Sequence, residues 1–379
     1  MSVDAAFRRE FGRSPAGTWA APGRVNLIGE HTDYNDGYVL PIALSHHVSV
    51  TAAPRDDHML RLVSHQADGR GELAIDDLAP GRVTGWAAYP AGVVWASRQR
   101  GHHVGGLDLL IDGDVPPGAG LSSSAALECA TAMAVADLYD IDLAGRELAE
   151  LARHAENEFV GVPCGVMDQA ASVLCTAGHA LLLDTRSMAA TQVPFDPAAD
   201  DLALLVIDTR APHRLVDGAY AARRRSCERA AATLGVTALR DIDVDGLDAV
   251  LAALPTEELR ARTRHVVTEN ARVEHFVELL RAGRLVEAGP VLTASHVSLR
   301  DDYEVTCPEL DTAVEATLAA GALGARMTGG GFGGCAIALL PGARVRACVT
   351  EVHQAFERSG FAEPAAFTAT PSDGARRVR

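Results

Sequence analysis

Six consecutive residues, Gly329-Gly-Gly-Phe-Gly-Gly334, include five glycines. Neither a helix nor a strand gains from such a run, because each glycine costs folding entropy and packs no side chain. The stretch must be a loop that another backbone or a ligand approaches closely, and it feeds an apolar strand, Cys335-Ala-Ile-Ala-Leu-Leu340. As a dinucleotide fingerprint it stands in the wrong context: it precedes a strand instead of leading from one into a helix. A Rossmann dehydrogenase is therefore set aside.

A second glycine-rich stretch, Val115-Pro-Pro-Gly-Ala-Gly-Leu-Ser-Ser-Ser-Ala-Ala-Leu-Glu128, opens a long apolar helix predicted to run to about Tyr139. A helix start carries unpaired N–H groups and the positive end of the dipole, so it attracts anions. The glycines admit a ligand to the backbone, and hydroxyls can reach a phosphate or its metal. One serine suffices to cap a helix, so three in a row point beyond capping to phosphate binding. The arrangement does without lysine what a P-loop does with one.

The densest chemistry lies early, in Ala21-Pro-Gly-Arg-Val-Asn-Leu-Ile-Gly-Glu-His-Thr-Asp-Tyr-Asn-Asp-Gly-Tyr38. Here Arg24, Asn26, Glu30, His31 and Asp33 stand between glycines. Carboxylates and imidazole exchange hydrogen bonds with hydroxyls, and a guanidinium answers developing negative charge, so the set suits a polyhydroxylated ligand. A polar turn followed by the Asn35-Asp36-Gly37 hairpin signal accounts for the same residues. Further on, a helix predicted from Ala144 to about Val160 carries Glu156. It is broken by Gly161-Val-Pro-Cys-Gly165, and another helix starts at Met167-Asp168-Gln169. In a first helical turn Asp168 is either a favourable partner for the dipole or a general base.

Between these stretches, Val48-Ser-Val-Thr-Ala52, Leu60-Arg-Leu-Val63 and Leu107-Asp-Leu-Leu-Ile111 read as strands of a mixed sheet. A short amphipathic helix and a strand near Thr18-Trp19-Ala20 precede them. Trp86, Tyr89, Val93 and Val94 have helical spacing, which predicts a helix over Trp86–Ser97 with a core-facing aromatic side. From Ala180 the pattern changes: Ala180–Asp184 and Leu202–Asp208 read as buried strands, Gly218–Leu234 as helical, and 241–300 as mostly helical. The expected chain is α/β (α+β), with domains at 1–196 and 197–379 and a linker in the Pro194–Asp200 stretch. Arg223-Arg224-Arg225 reads as a solvated helix face.

With 379 residues, 48% of them hydrophobic, the chain can bury a substantial core. The net charge of -16 argues against a polyanion-binding surface, so neither nucleic acid nor an anionic membrane is expected as a partner. All 34 basic residues are arginine. Without lysine, Walker A loops, protein-kinase catalysis, pyridoxal chemistry and Schiff-base aldolases are excluded. Seven cysteines, odd in number and lacking any Cys-x-x-Cys pair, fit reduced thiols in the cytoplasm better than disulfides or structural zinc. Phe7-Arg-Arg-Glu10 interrupts any signal-peptide core, and no apolar run approaches the ~18 residues of a membrane span.

Taken in order, the three stretches resemble the signature motifs of the GHMP kinase superfamily. Gly23-Arg-Val-Asn-Leu-Ile-Gly-Glu-His-Thr-Asp-Tyr34 is similar to the motif of its galactose-phosphorylating members, and Gly161-Val-Pro-Cys-Gly-Val-Met-Asp-Gln169 agrees. The resemblance implies an amino-terminal domain with a mixed sheet, a carboxy-terminal domain with an antiparallel sheet and helices, and an active site in the cleft between them. It implies that MgATP phosphorylates the anomeric C1 hydroxyl of α-D-galactose, as in galactose catabolism. By position, Asp168 and Arg24 match the catalytic pair, and Glu30, His31, Asp33, Gly165 and Tyr220 match the galactose contacts. Ser124 and Glu156 match the Mg2+ ligands. Gly118, Gly120, Leu121, Ser122, Ser123, Ser124 and Gly330 match ATP contacts, and Trp86 falls where the family stacks an aromatic ring on adenine. The resemblance further implies a monomer working on small molecules, in which Asp168 accepts the O1 proton while Arg24 keeps Asp168 ionised and stabilises charge on the transferring group. One rival is a sister kinase for an N-acetylated hexosamine, a uronic acid or a pentose. Another is a galactose- and ATP-responsive regulator; such regulators lose catalysis through a gap in the serine motif, whereas Ser122-Ser-Ser-Ala-Ala126 is complete.

Overall fold

The computed structural model describes residues 2–116, 118–211 and 216–379; Pro117, inside the serine-rich turn, lies outside the described residues. The first half of the chain forms α1 (Val3–Phe11), β1 (Gly17–Asn26), β2 (Tyr38–Val39), β3 (Pro41–Arg55), β4 (Met59–Ser64), β5 (Arg70–Ala74), α2 (Ala88–Gln99) and β6 (Gly106–Gly113). It continues through α3 (Ser123–Leu138), α4 (Gly145–His154), α5 (Met167–Leu174), β7 (His179–Asp184) and β8 (Ala189–Pro194). The second half forms β9 (Leu202–Asp208), α6 (Val216–Leu234), α7 (Leu247–Ala253), α8 (Glu257–Arg281), α9 (Leu285–Ser298) and α10 (Pro308–Ala319). It closes with β10 (Gly324–Thr328), β11 (Cys335–Pro341), α11 (Val345–Ser359), β12 (Ala365–Ala369) and β13 (Arg376–Arg377). Two π-helical segments, Ala155–Val160 and Leu299–Tyr303, extend α4 and α9. No helix among the described residues is long and apolar enough to cross a membrane.

A six-stranded sheet runs in the order β13-β1-β3-β6-β4-β5 and is mixed, because β4 and β6 pair parallel while the other neighbours are antiparallel. A four-stranded sheet, β10-β11-β9-β12, is antiparallel throughout. Both match the expected sheet types, and a small third sheet, β2-β7-β8, goes beyond them. Strands β1 to β8 come from residues up to Pro194 and the four-stranded sheet from residues after it, yet β13 returns to β1, with Arg377 opposite Trp19.

Helix α3 is built mostly of small apolar residues and buries nearly its whole length against β1 and β3. A helix apolar on every side has to be buried on every side, and its alanines allow the close approach. This packing sets the amino end of α3 beside β1, which is buried from end to end. Between Pro22 and Arg24 the pairing of β1 with β3 shifts register, and such a bulge re-aims the side chain that follows it. Gly23 is required there, since a Cβ would fall 2.6 Å from the carbonyl oxygen of Leu121. The N–H of Arg24 donates to that same carbonyl at 3.1 Å, stitching the first motif to the serine turn. One continuous apolar cluster draws on β1, β3, α3, α8, α9 and β11, and each fully buried Leu, Ile or Val in it contributes about 1.5–3 kcal/mol.

Candidate active site

The Arg24–Asp33 motif, the serine turn, the segment before α5 and the Gly329–Gly334 loop converge on a cavity of about 440 Å³. Its wall contains Arg24, Glu30, His31, Asp33, Gly118, Gly120, Leu121, Ser122, Ser123, Ser124, Glu156, Gly165, Asp168, Tyr220 and Gly330. Every residue matched by position to a site role is there except Trp86, while Asn26, also singled out, lies behind the wall, bonded to Glu30. The Trp86 ring stands in the short turn Gly85–Ala87 before α2, half-buried against the main apolar cluster, and takes no part in the wall.

At the centre Arg24 grips Asp168 with both arms of its fork: Nε donates to Oδ1 and Nη2 to Oδ2, each at 2.8 Å. Its third arm, Nη1, donates to the carbonyl of Gly120 at 2.7 Å. Burial works against the guanidinium charge, but Asp168 and Glu30 outweigh it and raise the Arg24 pKa. Ser122 holds a left-handed backbone (φ 60°, ψ 45°) and its hydroxyl donates to Asp168 Oδ2. That hydroxyl, expected from the sequence to face phosphate, is turned to the carboxylate instead. Helix α3 accordingly begins without a side-chain cap, so its first N–H groups are left for an anion.

Glu30, His31, Asp33 and Tyr220 line the same cavity. Glu30 accepts from Asn26 Nδ2 and from the Gly329 N–H, each at 2.6 Å, and Arg326 Nη2 stands 3.6 Å away. Burial pushes the Glu30 carboxyl up, against the pull of Arg326 and Arg24. Burial, reinforced by Asp168, pushes Asp33 up to about 7. His31, also in a left-handed backbone (φ 62°), is pushed down to about 3 by burial and by the nearby His265 and Arg223. Tyr220, on α6, lies with its ring centroid 5.6 Å from that of His31.

Beside the serine turn, Glu156 projects from the first π segment. It is hydrogen-bonded to Ser124 and accepts from Gln169 Nε2 at 2.6 Å, and burial raises its pKa. Behind it Glu128, on α3, is buried and pushed well above the carboxylate range by burial and by Glu156, with its Oε1 unpartnered. No cluster of three or more His, Cys, Asp or Glu able to hold a metal occurs among the described residues. Ser124 and Glu156 nonetheless supply two hard oxygens at one point of the wall, which suits Mg2+, an ion that keeps waters and substrate phosphates as its other ligands.

Several residues that shape this site escaped the sequence reading. Arg326, on β10, is fully buried and donates through Nη1 to the carbonyl of Leu27. Glu269, on α8, accepts from the Gly29 N–H at 3.0 Å and from Ser295. Against the penalty of burial, Arg272, His265 and Arg326 hold Glu269 at about 2. Arg223, expected on a solvated face, donates instead to the carbonyls of Tyr303 and Glu304. A signal existed: Arg262, His265 and Glu269 share the inner stripe of α8 with Val266 and Val273, and charged groups among buried apolar ones mark a polar network.

Comparison with known proteins adds three sequence profiles. The galactokinase galactose-binding signature matches residues 5–54, the GHMP kinases N terminal domain residues 88–176, and the GHMP kinases C terminal profile residues 276–358. The chain is 53% identical to a galactokinase of Streptomyces coelicolor, over 100% of this chain and 98% of the relative. It is 46% identical to a galactokinase of Mycobacterium tuberculosis, over 96% of this chain and 99% of the relative. The crystal structure of Lactococcus lactis galactokinase complexed with galactose superposes with a TM-score of 0.95 at 34% identity, covering 99% of each chain. A mevalonate kinase at 16% identity and TM-score 0.68 shares the fold.

Proposed function

The chain belongs to the galactokinase family of the GHMP kinase superfamily, and from that premise we propose how its cleft residues divide the work of phosphorylating galactose. The enzyme transfers a phosphoryl group from ATP to the C1 hydroxyl of galactose. Transfer of this kind is mostly positioning and charge neutralisation, with a carboxylate to receive the hydroxyl proton. Asp168 is that acceptor. Its two-point grip by Arg24 is the observation that carries the reading, because the pair fixes the carboxylate's direction and sets a positive charge beside it. The same guanidinium stands ready for charge that builds on the transferring group.

Glu30, His31, Asp33 and Tyr220 hold the sugar, and Gly165 leaves room for Asp33. The opening N–H groups of α3, with Ser123 and the backbones of Gly118, Gly120, Leu121 and Gly330, cradle the phosphates. Ser122 steadies Asp168. Ser124 and Glu156 would hold Mg2+, which when bound neutralises charge across the ATP phosphates. An adenine stacked on Trp86 would extend past the cavity wall. The proposed domain seam stays at residues 196 and 197, with the β13 segment returning to the first unit. The seven free thiols support a reducing compartment, the cytoplasm. The proposed enzyme is a monomer whose partners are small molecules.

Asp168→Asn tests the central role. We expect turnover to fall about 10²–10⁴-fold, with galactose binding by calorimetry retained. Turnover near that of the parent enzyme would remove Asp168 as proton acceptor.

A further inference from the structure

Behind His31 runs a line of hydroxyls that the reaction as described leaves unused. Nδ1 of His31 lies 2.8 Å from the Tyr34 hydroxyl, which lies 2.8 Å from the Tyr303 hydroxyl, which in turn lies 3.1 Å from Cys227 Sγ. Tyr303 and Cys227 are sealed from solvent. With Nδ1 engaged, the nitrogen His31 has left is Nε2, which is buried and makes no hydrogen bond of good geometry, although the Gly330 backbone lies close enough to act on the ring. The residue itself is 4% exposed and lines the cavity.

We propose that Tyr303, acting through Tyr34, is a positioning residue that fixes His31 as its Nε2–H tautomer, so that the imidazole offers galactose a hydrogen-bond donor. The proposal rests on the reading of His31 as a galactose contact. Direction along the line follows from acidity: a phenol O–H is a better donor than a neutral imidazole N–H, and an imidazole nitrogen is a better acceptor than a phenol oxygen. Tyr34 therefore donates to Nδ1 and must accept from Tyr303, which accepts from the thiol of Cys227. Each of the two tyrosines then donates once and accepts once. Burial keeps that thiol protonated, its pKa pushed up to about 11. Burial also keeps the His31 ring neutral at working pH, so it has one donor and one acceptor nitrogen and the relay decides which is which.

The backbone is built to hold the far end of this line. Tyr303 ends the second π segment, Leu299–Tyr303, and Glu304 follows in a left-handed conformation (φ 54°). π segments inside helices re-aim side chains and cluster at functional sites. Arg223 clamps the Tyr303 carbonyl at 2.7 Å, and the Val305 carbonyl accepts the Phe332 N–H of the glycine loop at 2.7 Å. The chemistry also complements the rest of the site. An ionised carboxylate such as Glu30 can only accept hydrogen bonds, so an N–H on His31 gives the sugar-facing set a donor beside the Tyr220 hydroxyl. A hydroxyl that receives from His31 while donating to a carboxylate is fixed in direction, and a sugar lacking that hydroxyl leaves both groups unpaired.

The test uses Tyr34→Phe, Tyr303→Phe and the double variant of the full chain, each of which removes oxygen and keeps the rings. Two-bond 1H–15N spectra of histidine-labelled protein read the tautomer, with His31 assigned by its loss in His31→Gln. The parent should show Nε2–H alone, and Tyr34→Phe a mixture of tautomers. Galactose KM should rise about 3–10-fold, the loss of one hydrogen bond, while the ATP KM stays within about twofold. Tyr303→Phe should shift both readouts in the same direction, and the double variant should match Tyr34→Phe, because the two act in series. A parent in the Nδ1–H form, or an unchanged tautomer in both single variants, overturns the relay. His31→Ala with an unaltered galactose KM would instead remove His31 from the sugar site and leave the tautomer result standing.

Discussion

Gly165→Ala separates the role of space from the role of charge in the sugar site. Gly165 has no left-handed backbone to protect, so the substitution acts through its methyl group alone. A Cβ built there falls 1.6 Å from Asp33 Oδ2 and 2.2 Å from its Cγ. Ordinary contact begins at 3.4 Å, so the carboxylate has to retreat by about 1.8 Å. A neighbouring cavity of about 290 Å³, also lined by Asp33 and Gly165, gives it somewhere to go, and the fold should lose only about 1–2 kcal/mol. The reaction cannot adapt in the same way, because a misplacement of about 1 Å already costs about 10²-fold. Galactose kcat/KM should therefore fall at least about 10²-fold, or roughly 3 kcal/mol of transition-state binding, with the ATP KM little changed. Initial rates by ADP release across galactose concentrations, with a thermal melt of the same sample, read both effects. A kcat/KM within about threefold of the parent would refute the view that Gly165 sets the position of Asp33.

Asp33 also predicts a pH dependence. With its carboxyl raised from 3.8 to about 7, the accepting form is lost as pH falls below that value, so galactose kcat/KM should climb through pH 7 and then level. Asp33→Asn should flatten this limb; an identical limb in the variant would assign it to another group. For stability the sign is opposite: what protonated Asp33 contributes is fully present below pH 3.8 and is lost as pH rises through about 7. Glu156→Gln should raise the Mg2+ concentration for half-maximal rate by about tenfold or more, and an unmoved Mg2+ titration would take Glu156 out of the metal site.

Local patterns in the chain make the major parts of this enzyme legible. Arg24, Glu30, His31 and Asp33 lie within ten residues of one another, and the glycine and serine turns carry their purpose in composition. Strand β3 likewise shows its period of two in a short window, and helix α3 its length in a long run of small apolar residues. What stays hidden is contact between distant segments. Nothing near Ser122 says that its hydroxyl will meet Asp168, since the contact joins residues 46 positions apart and needs a left-handed backbone at a serine. Arg326 and Glu269 look like ordinary charges until β10 and α8 close over the first motif. Both π segments are invisible to periodicity, being an extra residue in a helix whose apolar spacing is otherwise regular. Trp86 shows the converse: its helical spacing marks a core-facing position, and the ring lies half-buried against the main apolar cluster.

Thr328 makes two hydrogen bonds to Asn26, accepting from its N–H at 3.0 Å and donating to its carbonyl at 2.9 Å. The residues so joined are 302 positions apart. A contact of that span closes a very long loop, whose entropy must be met before any local reward arrives, and long-range closures of this kind come late in folding. On the ribosome, the arginine, carboxylates and serine turn are all synthesised well before the strand that completes their cleft. The nascent chain can thus carry the proposed catalytic residues Arg24 and Asp168 while having no enclosed site in which to use them. Phosphotransfer becomes available only once β10 and the glycine loop have emerged and docked, which ties the onset of activity to the completion of the fold.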